Sequence, residues 1–328
     1  MTATSGNTRN LKFFWIVKLF GLALFIYLLL TIDRQAIGSL FYKIDLFLLI
    51  SAILLTKIAL NFFKVLRWHL ILKWMGLKYN FWQTYITYQA AIFLGLMTPG
   101  RFGEMFRSVY LKSDHDVPIS AGIATVGTDR VFDLFGMLLL AGFALLINPQ
   151  YGVTRNAGWY FLAGALVASI LLAVVRHVSP EKLKKISIFG NHFVGDLLAA
   201  FSSQIRLMNV RRMVFQIVNT MVATIIFAYI CALLAKSINI EIDPITAGGI
   251  AAAANLVMVI PVTFYGLGTR EITIITLMGF LGITQPEAFS FSLLIFLNFW
   301  IIAALWGMIF WLLKPMKLKR AKKLGAER

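Results

Sequence analysis

The sequence predicts an all-α polytopic membrane protein, with six full transmembrane helices and two oppositely entering re-entrant helical hairpins arranged like an inverted repeat. Three observations lead there. Of 328 residues, 59% are hydrophobic and 14% charged, against about 45–50% and about 25% in a soluble globular chain. The mean hydropathy of +0.81 comes from repeated apolar runs of membrane-spanning length rather than from one greasy tail. Two further apolar stretches are interrupted by Pro/Gly segments that no continuous helix accommodates.

Along the chain, Met1 to Asn10 is polar and reads as a disordered end. Leu11 to Thr31 is about twenty residues long without a small-x-small cleavage site, so it reads as a retained first helix rather than a signal peptide. Asp45–Trp74, Ile119–Ile147, Trp159–Val175, Met213–Ala235 and Ala288–Leu313 complete the six spans, each long enough to cross about 30 Å of hydrocarbon. The first broken stretch, Phe81 to Met97, stops at Thr98-Pro99-Gly100-Arg101-Phe102-Gly103-Glu104 and resumes from Met105 to Leu111. The second, Ile245 to Ile260, stops at Pro261-Val262-Thr263-Phe264-Tyr265-Gly266-Leu267-Gly268-Thr269-Arg270-Glu271 and resumes from Ile272 to Leu281. Hairpins over about residues 81–112 and 245–282 are therefore expected, their tips shielded from lipid because irregular backbone at membrane depth needs protein or water around it. Both belong to one transmembrane domain, residues 11–313.

Charge placement gives the topology. Lys and Arg number 31 against 14 Asp and Glu, a net +17. The basic residues concentrate before and within the first helix (Arg9, Lys12, Lys18), after the second run (Lys64, Arg67, Lys73, Lys78), around Arg101, Arg107 and Lys112, between Arg176 and Arg212, and from Lys314 onward. By the positive-inside rule these sites face the cytoplasm, which puts both termini inside and the chain in the cytoplasmic membrane. The surplus charge then meets anionic headgroups rather than nucleic acid. The basic connector over residues 176–212 carries Phe189, Phe193, Leu197, Leu198 and Phe201 roughly at helical spacing. It reads equally as a helix on the inner leaflet or as a simple connector. Residues 314–328 form a basic cytoplasmic tail.

The composition also excludes chemistries. A single cysteine, Cys231, sits in an apolar run, and His69, His115, His177 and His192 lack metal-ligand spacing. No Gly-rich loop ends in Gly-Lys-Ser/Thr. Asp114-His115-Asp116, just before Pro118, reads as solvated loop. No metal and no cofactor are expected.

Ionisable residues inside apolar runs are costly and so are candidates for function. Arg130 lies twelve residues past Pro118, about 18 Å into a helix. Asp129 and Asp133 are spaced i,i+4 and can flank its guanidinium. That set is either a structural ion pair with a spare carboxylate or a phosphate site, since a guanidinium fork matches phosphate oxygens. Arg101 with Glu104, and Arg270 with Glu271, stand at the two tips, each opening a half-helix whose free N–H groups favour an anion. They serve either as caps of broken helices or as substrate contacts. Lys57, also about 18 Å deep, shares a helix face with Asn61, Lys64 and Trp68 and reads as counter-ion or cavity liner. Asn255 and Asn298 read as interhelical hydrogen-bonding groups.

Thr98-Pro99-Gly100-Arg101-Phe102-Gly103-Glu104-Met105-Phe106-Arg107, Thr128-Asp129-Arg130-Val131-Phe132-Asp133 and Gly266-Leu267-Gly268-Thr269-Arg270-Glu271 resemble the three signature stretches of the flippase-like membrane domain of bacterial lysylphosphatidylglycerol synthases. That domain also occurs alone in bacterial and archaeal proteins, and the resemblance covers about Leu11 to Leu313. It implies lipid translocation, with Arg101, Glu104, Asp129, Arg130, Asp133, Arg270 and Glu271 in the family's motif positions. A small residue is more usual at Phe102, Glu is more usual than Asp at Asp129, and Phe264-Tyr265 is bulkier than usual. These departures bear on which lipid is recognised rather than on the fold. Family members that make aminoacyl lipids carry a soluble synthase domain after the membrane part, so aminoacyl transfer by this chain alone is not expected.

The expected function is movement of an anionic phospholipid or polyprenyl-phosphate-linked lipid between leaflets, with substrate contacts from Arg101, Glu104, Asp129, Arg130, Asp133, Arg270, Glu271 and Lys57. The alternative is a non-transporting accessory subunit of a lipid glycosyltransferase or cell-envelope synthase. Expected partners are the lipid headgroup, the membrane, and a lipid-modifying enzyme or a second copy of the chain.

Overall fold

The computed structural model describes residues 27–28, 30–96, 104–185, 193–258 and 266–315. Helices joined by short turns make up these residues, with no strand among them. The helices are α1 (Arg34–Tyr42), α2 (Leu46–Trp74), α3 (Phe81–Leu96), α4 (Phe106–His115), α5 (Ile119–Ile147), α6 (Ala157–His177), α7 (Pro180–Lys184), α8 (Phe193–Leu207), α9 (Val210–Lys236), α10 (Pro244–Val257), α11 (Thr269–Gly279) and α12 (Gln285–Leu313).

Among the described residues five helices are long and apolar enough to cross a membrane: α2, α5, α6, α9 and α12. They coincide with five of the six spans read from the sequence, while most of the first, Leu11 to Thr31, lies outside the described residues. Their helix starts follow local chemistry. Asp45 caps α2 by accepting from the Leu48 N–H at 3.1 Å, and Asn209 caps α9 through Arg212 at 2.9 Å. Pro244 and Pro286 stand at the first turns of α10 and α12, where a missing N–H costs nothing. The 29-residue α2 and α12 each contain one π-helical turn, Thr56–Leu60 and Leu297–Ile301.

Each broken stretch forms two short helices that pack on each other, α3 with α4 and α10 with α11. The tip residues Thr98 to Gly103 and Pro261 to Tyr265 lie outside the described residues.

The chain divides into two compact units. The first comprises residues 1–67, 129–177 and 208–302. Its core centres on α10, where small residues let backbones approach. A Cβ on Gly248 would lie 2.6 Å from the Ala228 Cα of α9, and one on Gly249 would lie 2.0 Å from the Ala144 Cβ of α5. Lipid offers no hydrophobic drive for helix association, so such close packing and interhelical hydrogen bonds must hold the bundle. The bonds are present: Asn219 Nδ2 donates to the Phe63 carbonyl at 2.9 Å, and Asn148 Nδ2 to Thr246 Oγ1 at 2.8 Å.

The second unit comprises residues 68–128, 178–207 and 303–328. Here α4 meets the start of α5 so closely that a Cβ on Gly122 would lie 2.6 Å from that of Ser108. The basic connector is ordered into α7 and α8, which pack together. Gly195, Ala199, Ser202 and Ile205 face inward on α8, and Phe193 and Leu198 are exposed. Gln204 fixes the helix by donating to the Ala121 carbonyl at 3.0 Å and accepting from Thr128 Oγ1 at 3.1 Å. The connector is thus a docked helix with an apolar outer face; Phe189 lies outside the described residues. Asp114, read as solvated loop, stands in the last turn of α4; it is exposed, and Lys314 and Tyr79 both bond its carboxylate.

Candidate functional site

One group of charged residues in the first unit centres on Arg67. Its Nε stands 2.7 Å from Asp129 Oδ1, its Nη2 2.5 Å from Asp133 Oδ1, and its Nη1 3.4 Å from Thr220 Oγ1. Arg67 and Asp129 are inaccessible to solvent. Arg67 lies seven residues before the end of α2 and Asp129 ten residues into α5, so each is about 10–15 Å from its helix end. Two further cations reach Asp133 Oδ2: Arg130 Nη1 at 3.3 Å and Lys64 Nζ at 3.5 Å.

This arrangement keeps the Arg130–Asp133 pair expected from i,i+3 spacing along α5 but has a different centre. Asp129 and Asp133 do share a face, but the guanidinium they straddle is Arg67 of α2. Successive helical residues are about 100° apart, so Arg130 approaches Asp133 from the side, at 3.3 Å, and stays 31% exposed. A side chain from a facing helix meets the pair head on. The carboxylates therefore hold Arg67 firmly, leaving Arg130 at the margin of the cluster. Beside Asp133 a cavity of about 30 Å³, lined by Lys64, Arg67, Thr220 and Thr224 among others, has room for about one water.

The start of α11 forms a second charged group. Gly268, at φ +83°, is the cap residue, and its N–H donates to Glu271 Oε2 at 2.7 Å. Glu271 Oε1 pairs with Arg270 Nη2 and accepts from Ser292 Oγ at 3.4 Å. Glu271 is therefore the first-turn residue whose carboxylate completes the cap at Gly268. Arg270 goes beyond capping: it is 1% exposed, its guanidinium lies 4.8 Å from the Phe296 ring centroid, and its buried Nε and Nη1 have no hydrogen-bond partner among the described residues. Two unsatisfied donors on a buried cation are costly. At a helix N-terminus they mark a place where an anion would be stabilised.

Lys57 sits where the two π-helical turns meet. Its Nζ donates to the Asn298 carbonyl at 3.4 Å, and Asn298 Nδ2 donates to Thr56 Oγ1 at 2.9 Å. π-Turns release backbone carbonyls from the regular ladder, which gives a buried ammonium an acceptor. Asn298 acts between helices, as read from the sequence.

In the second unit, Glu104 pairs with Arg107 at 3.2 Å. Arg107 is buried, its guanidinium 4.6 Å from the Tyr88 ring and 5.1 Å from the Trp68 ring. Arg101 lies outside the described residues. Sequence reasoning assigned Arg67 and Arg107 to interfacial basic clusters; the available cue was that Arg67 still lies about 10 Å inside its apolar run. Among the described residues no group of three or more His, Cys, Asp or Glu converges on a metal site.

The sequence profile described as the lysylphosphatidylglycerol synthase TM region matches residues 15–307. Among curated proteins, a UPF0104 membrane protein of Methanocaldococcus jannaschii is 23% identical over 238 residues, covering 70% of this chain and 98% of the relative. A second UPF0104 membrane protein of the same archaeon is 28% identical over 129 residues, 38% of each chain. Neither the profile nor the described helices bring a catalytic domain with them.

Proposed function

The chain belongs to the lysylphosphatidylglycerol synthase transmembrane-region family, and from that premise we propose that it moves an anionic phospholipid or polyprenyl-phosphate-linked lipid between the leaflets of the cytoplasmic membrane, both termini facing the cytoplasm. The observation that carries the reading is Arg270, buried at the start of α11 with Nε and Nη1 unpartnered among the described residues. A phosphate is the anion a membrane supplies, and a guanidinium is the group that binds it by paired hydrogen bonds. Arg130, half-exposed beside the Arg67 cluster, is a second contact for the headgroup, and the acyl tails stay in lipid. In this reading α3 with α4 and α10 with α11 are re-entrant hairpins, Arg101 and Glu104 contribute at the first tip, and Lys57 lines the path. The chain acts without cofactor and without aminoacyl transfer of its own. Headgroup charge couples such movement to the membrane potential at about 2.3 kcal/mol per charge per 100 mV.

The test is leaflet exchange of labelled phosphatidylglycerol and of a labelled polyprenyl phosphate in liposomes containing purified protein. Wild type is compared with Arg130→Ala and Arg270→Gln, each checked for folding. Exchange of either lipid in wild type, lost in both variants, is the expected result. Folded protein that exchanges neither lipid refutes the reading. It then favours an accessory subunit, whose mark is a stoichiometric lipid-modifying enzyme on purification.

A further inference from the structure

An apolar groove opens in the first unit, on the face of α5 turned away from Asp133. The groove, of about 390 Å³, lies between α5, α6 and α9, within the range of small-ligand sites. Its origin is a change in helix spacing. At the loop-connected end, α5 and α6 touch: a Cβ on Gly158 would lie 2.7 Å from the Gly142 carbonyl, and one on Gly142 2.7 Å from Leu162 Cδ2. Further along the contact loosens, a Cβ on Gly164 lying 3.5 Å from Leu138 Cδ2, and beyond it Phe132 and Phe135 of α5, Leu172 and Ala173 of α6, and Met213 and Ile217 of α9 line the groove. The outer side of α6 carries Leu166, Ile170, Leu171 and Val174, all exposed, so the groove is bordered by lipid-facing surface.

One end of the groove is basic. Arg176 and His177 line it at the last turn of α6, and Val210, the first residue of α9, lines it at the same end. Arg211 and Arg212 follow on α9. From His177 to Ala168 the groove runs nine residues along α6, about 14 Å, close to half of the roughly 30 Å hydrocarbon core. A basic rim at a helix end with an apolar trough one leaflet deep has the shape and charge of a single phospholipid.

We infer that this groove holds one acyl chain of an anionic phospholipid from the leaflet on the Arg176 side, with the lipid phosphate against Arg176 and His177. The site is distinct from the Arg67 and Arg270 groups and does not depend on transport. The bound lipid fills the wedge between α6 and its neighbours that side chains leave open, and it anchors a helix most of whose length is not buried against the protein.

The experiment is native mass spectrometry of the full purified chain, stripped of lipid and titrated with dioleoylphosphatidylglycerol or dioleoylphosphatidylcholine. Wild type is expected to hold one phosphatidylglycerol about tenfold more tightly than phosphatidylcholine, the size of one charge-assisted hydrogen bond. The double variant Arg176→Gln/His177→Gln should abolish that preference while leaving phosphatidylcholine binding intact. Ala173→Trp, or Ser169→Leu should the first fail to fold, should weaken both lipids by filling the trough. Glycerol phosphate should displace neither. Equal binding of the two lipids to wild type, unchanged binding in the variants, or displacement by glycerol phosphate each overturns the inference. Because the readout is occupancy, its failure leaves the transport reading standing, and an Arg270→Gln chain that transports nothing should still hold the lipid.

Discussion

Arg67→Met is the sharpest perturbation of the charged core. The substitution keeps the volume of the side chain stem but removes the guanidinium that Asp129 and Asp133 share at 2.7 and 2.5 Å. Asp133 retains Arg130 and Lys64 at 3.3 and 3.5 Å, whereas the inaccessible Asp129 loses its hydrogen-bonded cation. Breaking a buried pair by removing one member costs about 3–5 kcal/mol, because the remaining charge is stranded. At about 2 °C per kcal/mol for a chain of this size, that is a fall of roughly 6–10 °C in unfolding temperature. Thermal unfolding in detergent, followed by intrinsic fluorescence, measures it. Adding Asp129→Asn removes the stranded charge and should recover at least half of the loss, whereas Asp129→Asn in the wild-type background should be destabilising by itself. A single variant within about 2 °C of wild type, or a double variant no better than the single, would refute the assignment of Arg67 as the hub.

Gly249→Val should prevent proper packing of α10, since even the first added carbon would lie 2.0 Å from Ala144 Cβ; size-exclusion chromatography should show loss of the monodisperse peak. Gln204→Leu removes the bonds to Thr128 and to the Ala121 carbonyl, about 1–3 kcal/mol of docking energy for α8, so trypsin should cut the Lys182–Lys185 segment faster than in wild type. Tyr79 gives a pH signature. Burial, followed by its hydrogen bond to Asp114, pushes its phenol well above the ordinary value of about 10. The folded chain therefore keeps a proton that the unfolded chain releases, and stability should fall as pH rises above about 10. Tyr79→Phe should show a shallower alkaline loss in the same unfolding assay, and an identical slope would contradict the assignment.

The spans were legible in the sequence because a membrane helix is a local property: a continuous apolar run at 1.5 Å per residue either reaches across the hydrocarbon or does not. Asp45–Trp74 and Ile119–Ile147 announce themselves this way, and the interruptions between α3 and α4 and between α10 and α11 fall in the two stretches where the sequence carries Pro and Gly. Glu271 as a first-turn cap is also local, set by its position three residues after Gly268. Which charge meets which is another matter. Asp129, Arg130 and Asp133 looked self-contained because spacing reveals only contacts within one helix. The rotation of α2 against α5 brought Arg67 from 62 residues away into the position that spacing gave to Arg130. Asp114 was bound in the same manner by Lys314, 200 residues distant. The two unsatisfied nitrogens of Arg270 and the wedge between α5 and α6 likewise exist only once helices are packed. Burial and the spacing between helices are properties of the assembled bundle, fixed by where Gly142, Gly158, Gly248 and Gly249 let backbones approach and where bulkier residues hold them apart.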